Sequence, residues 1–99
     1  MAVISFMPTS RVKIRKPKTV FKDLSKDGVV GLAYDDEHKA EIDPKQSDRE
    51  LFLTAFHEYS HLTIPDLTEK QVIKLEKTIG VSLWKIVCRL RRKWLKPKI

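Results

Sequence analysis

At 99 residues with a single cysteine, Cys88, the chain has the length of one domain spanning 1–99, and no internal disulfide can staple it. A composition of 41% hydrophobic and 33% charged residues excludes collagen-like, low-complexity and wholly disordered classes. Apolar runs fall short of the ~20 residues a membrane span needs, and the opening MAVISFMPTSRVK turns polar too soon for a secretory signal, so a cytoplasmic protein without membrane contact is expected.

The net charge of +7 is unevenly spread. Asp23 to Glu58 holds ten of the thirteen acidic residues, whereas eight Lys or Arg follow the last acid, Glu76. The basic ends read first as solvated faces, with residues 1–10 and 96–99 loose; contact with a polyanion stays open.

Val12 and Ile14 alternate with Lys13 and Arg15 in a strand-like pattern that Pro17 ends. Val29–Tyr34 and Lys39–Asp43 form the next two strand candidates, joined by the polar Asp35-Asp36-Glu37-His38, which predicts an antiparallel hairpin. Ser47 and Glu50 fit a capping box opening a helix to about Leu62. Apolar residues cover most of that helix, leaving Thr54, His57, Glu58 and His61 on one polar stripe. Pro65 forces a stop, and Asp66 or Thr68 caps a second helix over Glu69–Ile79, Gln71 completing a second capping box with Thr68, with Val72, Leu75 and Ile79 facing the core and Gly80 ending it. Ser82 starts a third helix, whose Leu83, Val87, Leu90 and Trp94 lie opposite Lys85, Arg89, Arg92 and Lys93. Cys88 reads as a buried apolar filler on it. The expected class is α+β, a small antiparallel sheet of two or three strands followed by three helices.

His57-Glu58-Tyr59-Ser60-His61 is an instance of H-E-x-x-H. Residues four apart on a helix share a face, so both imidazoles can reach one metal ion, while Glu58 stands beside them free to take a proton from water. Burying two histidines and a carboxylate on an apolar helix without partners would cost several kcal/mol, about the penalty for orphaned polar groups, which favours a metal. Catalytic zinc usually takes three protein ligands. Glu69, at the start of the next helix, is the first candidate for the third, with Asp66 and Glu76 as alternatives; His38 lies in the hairpin loop.

HEYSH with a downstream carboxylate resembles the zincin metallopeptidases, in particular the gluzincin branch. It also looks like the short H-E-x-x-H domains of the anti-repressor type from phages and mobile elements, in which a glycine-containing hairpin precedes the motif helix, as Gly31–Asp43 does here. The resemblance covers about Gly31–Leu75. It implies His57 and His61 as zinc ligands, Glu58 as general base and Glu69 as third ligand. Leu67 stands where metzincins carry their third histidine, which separates the chain from that branch, and the step from His61 to Glu69 is shorter than in large gluzincins. Larger relatives stabilise the oxyanion with a Tyr or His; Tyr34 and His38 are the candidates here, in another part of the chain.

The expected function is zinc-dependent hydrolysis of a peptide or protein substrate by a monomer or weak dimer, with exposed Trp94 as a possible dimer surface. The alternative is a non-catalytic binding module, metal-stabilised or metal-free, whose Arg89–Lys98 segment contacts nucleic acid or an acidic partner.

Overall fold

The computed structural model describes residues 15–94. Strands β1 (Lys18–Phe21), β2 (Gly31–Tyr34) and β3 (Lys39–Ile42) precede helices α1 (Asp48–Thr63), α2 (Glu69–Leu75) and α3 (Val81–Trp94), an α+β arrangement as expected. The strand expected at Val12 and Ile14 lies outside the described residues. β1 instead begins just after Pro17, a residue tolerated before a strand's first ladder donor.

β2 and β3 form the expected antiparallel hairpin, with Ala33 opposite Ala40 and Gly31 opposite Ile42. The sheet as a whole is mixed rather than antiparallel. Its order is β1-β3-β2, and β1 runs parallel to β3 with Thr19 opposite Ala40. The chain leaves β1 through a single 3₁₀ turn at Ser25–Asp27, exits at Gly28 with φ of 66°, and lays β2 beyond the position β3 will take. Asp43 pins this connection by accepting the Leu24 N–H at 3.0 Å and the Lys45 N–H at 2.9 Å.

α1 packs across the face of the sheet defined by Ala33, Ala40 and Ile42. Ala40, Ile42 and Leu62 form the centre of the core, with Leu51, Ala55 and Tyr59 around them. The Ser47–Glu50 capping box is present and α1 runs to Thr63. A second box at Thr68–Gln71 starts α2, which makes Thr68 the cap and leaves Asp66 in the preceding turn.

Gly80 does not end the second helix. A π-helical turn at Glu76–Gly80 joins α2 to α3 without a break. The wider turn rotates the side chains away from the 3.6-residue pattern. Ile79 consequently faces outward at 50% exposure, and Gly80 is buried in its place. A Cβ on Gly80 would meet Leu53 Cδ2 at 3.2 Å and Phe56 Cδ1 at 3.3 Å, so this glycine lets the joined helix approach α1 closely. Trp84 packs on Phe52 with ring centroids 5.4 Å apart, Cys88 is half-buried, and Leu83, Ile86, Leu90 and Trp94 stay exposed. Among the described residues no helix is long and apolar enough to cross a membrane.

Candidate metal centre

The α1 geometry stacks His57 and His61 one turn apart, with ring centroids 5.0 Å from each other. The turn at Pro65–Asp66 folds α2 back so that Glu69, its first residue, comes over both rings. Glu69 Oε1 lies 2.7 Å from His61 Nε2 and 3.1 Å from His57 Nε2, and Glu69 Oε2 lies 3.0 Å from His57 Nε2. One ligand atom from each of His57, His61 and Glu69 falls within 4.8 Å of the others. Asp66 is not in this group.

Glu76 approaches from the opposite side. It is the first residue of the π turn, and His57 Nδ1 donates to its Oε1 at 2.8 Å. That bond holds the proton on Nδ1 and aims Nε2 at Glu69, the orientation in which an imidazole offers its other nitrogen to a metal. Glu76, an alternative ligand by sequence, is in the geometry the hydrogen-bond partner that orients the His57 ring.

The electrostatics are tightly linked. Burial is the largest single influence on His57 and disfavours its charge, but the hydrogen bonds to Glu76 and Glu69 and the nearby carboxylate charges together raise its pKa above 6.5. For Glu69 burial acts upward, and the hydrogen bonds from His61 and His57 prevail and lower its pKa. Glu58 is raised, first by burial and further by the Glu69 and Glu76 charges, against the opposing pull of His57 and His61. A carboxylate held above its usual range is a better proton acceptor, which suits a general base.

β2 covers this part of α1, and Gly31 is what permits it. A Cβ at Gly31 would stand 2.7 Å from Thr54 Cγ2 and 2.9 Å from Glu58 Oε2, inside any ordinary contact. Two clefts meet at this point. One, of about 410 Å³, runs past Val29, Val30 and Thr54; the other, of about 340 Å³, runs past Leu32, Asp35 and Pro65. Both are lined by Gly31, His57, Glu58 and Glu69.

Neither oxyanion candidate reaches the clefts' meeting point. Tyr34 lies on the sheet face opposite α1, since Gly31 and Ala33 take the near face, and its hydroxyl donates to Glu41 Oε1 at 3.1 Å. His38 occupies the hairpin turn at φ of 49° and its Nε2 meets the Arg15 carbonyl oxygen at 3.0 Å. Thr54, on the same polar stripe as the histidines, donates to Gln46 Oε1 at 2.9 Å and serves the fold.

The donor set fits a zinc-sized ion. Two imidazole nitrogens and a carboxylate suit Zn²⁺, whose tetrahedral bonds near 2.0 Å place ligand atoms about 3.3 Å apart; the Glu69 oxygens lie 2.7–3.1 Å from the two Nε2 atoms, and the three ligand atoms fall within 4.8 Å of one another. No family model, curated protein or solved structure matches the chain.

Proposed function

We propose that the chain is a zinc-dependent peptidase of the zincin kind, acting on extended peptides along the free edge of β2. The observation that carries this reading is the convergence of His57, His61 and Glu69 beside Glu58, at the junction of two clefts. His57, His61 and Glu69 would hold the ion. When bound, zinc supplies Lewis acidity to the scissile carbonyl and to water.

The chain's own residues do the rest. Glu58 accepts a proton from the attacking water and returns it to the departing amine, so the water's oxygen ends on the carbonyl carbon as the C–N bond breaks. Glu76 is a positioning residue that fixes the His57 ring. β2 is an edge strand in the order β1-β3-β2, which offers main-chain donors and acceptors to a substrate strand without strict sequence demand.

A second reading draws on α3, whose Lys85, Arg89, Arg92 and Lys93 are exposed and which carries no acidic residue. In that reading the chain is a binding module for nucleic acid or an acidic partner. Glu58→Gln separates the two. The peptidase reading expects a folded variant with about one zinc per chain and no hydrolysis of a casein or peptide-library substrate. Undiminished hydrolysis, or loss of zinc, would show that Glu58 is not the base.

A further inference from the structure

We infer that the groove selects peptides with a lysine or arginine on one side of the scissile bond and an apolar side chain on the other, with Asp35 and Val30 as the selecting residues. This rests on the peptidase reading above and names its substrate class. The two clefts form one path along β2, and their ends differ in chemistry. At one end Val29 and Val30 are 37% and 52% exposed. At the other, exposed Asp35 follows the last residue of β2 and lines the second cleft.

Charge along the path is of one sign. Asp35, Glu58, Glu69 and Glu76 line the clefts, and the described lining residues include no Lys or Arg. The ion would offset two of the four negative charges. Glu58, Glu69 and Glu76 are committed to the histidines or to proton transfer, which leaves Asp35 as the carboxylate available to a substrate side chain. β2, Gly31–Tyr34, supplies about 13 Å of extended backbone, room for about four substrate residues, and Val30 and Asp35 flank it directly, so both ends can be engaged at once. Hydrolysis needs water alone as co-reactant: its OH joins the carbonyl carbon and its hydrogen leaves with the amine.

The test uses the zinc-loaded full chain and peptides identical except for Lys, Gln or Glu at one position, scanned on both sides of the cleaved bond. At one position kcat/KM should favour Lys over Glu by about tenfold, and Asp35→Asn should cut the Lys-to-Gln ratio by about fivefold, the scale of an exposed charge pair. Asp35→Lys should invert the preference. On the opposite side, Val30→Asp should lower the Leu-to-Ala ratio. Equal cleavage of all three peptides by the native protein, or a preference that survives Asp35→Asn, overturns the inference and leaves the peptidase reading standing. If nothing is cleaved, the peptidase reading falls, and fluorescence anisotropy of the same labelled peptides on Glu58→Gln decides the selectivity. There, tighter Lys-peptide binding that depends on Asp35 supports the inference, and its absence refutes it.

Discussion

Replacing Gly31 by alanine tests the most constrained point of the site. The added methyl would sit 2.7 Å from Thr54 Cγ2 and 2.9 Å from Glu58 Oε2, with Glu58 Cγ at 3.0 Å. Ordinary contact starts near 3.4 Å, so either β2 lifts or α1's side chains yield by about 0.5–0.7 Å, an overpacking strain of about 1–3 kcal/mol. Glu58 has the looser attachment of the two neighbours, because Thr54 is tied to Gln46. A base displaced by that distance loses about 10²-fold in rate, while His57, His61 and Glu69 are untouched and zinc content holds near one per chain. The assay pairs kcat/KM on a cleaved peptide with metal analysis and a urea midpoint. Thr54→Ser removes the Cγ2 methyl and keeps the hydroxyl bonded to Gln46, so adding it to Gly31→Ala should recover part of the stability. Full activity in Gly31→Ala would refute the claim that Glu58 is held in place by the bare backbone above it.

Three further outcomes follow from the geometry. Glu76→Ala should weaken zinc binding by about 10–100-fold in a competition titration with a chelator, since it frees the His57 ring; unchanged affinity would deny Glu76 its orienting role. Ile42→Ala, at a site 1% exposed in the core, should lose about 2–5 kcal/mol by urea unfolding. Asp23 is held well below its usual range, chiefly by the Ser25 side-chain and backbone hydrogen bonds and also by Lys45. Its contribution is therefore present above pH 3.8 and lost as pH falls towards its folded value, so Asp23→Asn should flatten the acid limb of the stability curve between pH 5 and 2. An unchanged acid limb would discount those bonds.

Much of this was readable from residue order. Ser47 with Glu50 and Thr68 with Gln71 set both helix starts, because a capping box is a local agreement between neighbours. The four-residue spacing of His57 and His61, and the turn at Pro65, pointed to Glu69 through short-range geometry. What escaped depends on distant contacts. β1 pairs directly with β3 although β2 lies between them in the sequence, and four-residue strands carry no mark of parallel neighbours. Gly80 looked like a helix stop because sequence does not distinguish a C-terminal glycine from one needed for close packing against Leu53 and Phe56. The π turn moved Glu76 to the back of His57 and turned Ile79 outward, which a strict helical period does not anticipate. Gly31 does carry a legible signal, since a glycine inside a strand often marks a close backbone approach.

The most direct test of the central claim is the metal content of untagged native protein by plasma mass spectrometry, compared with His57→Ala and Glu69→Ala. About one zinc per chain in the native protein, lost or sharply reduced in both variants, is the expected result. A native protein that stays metal-free after zinc addition, or variants that retain full zinc, would contradict the His57–His61–Glu69 centre.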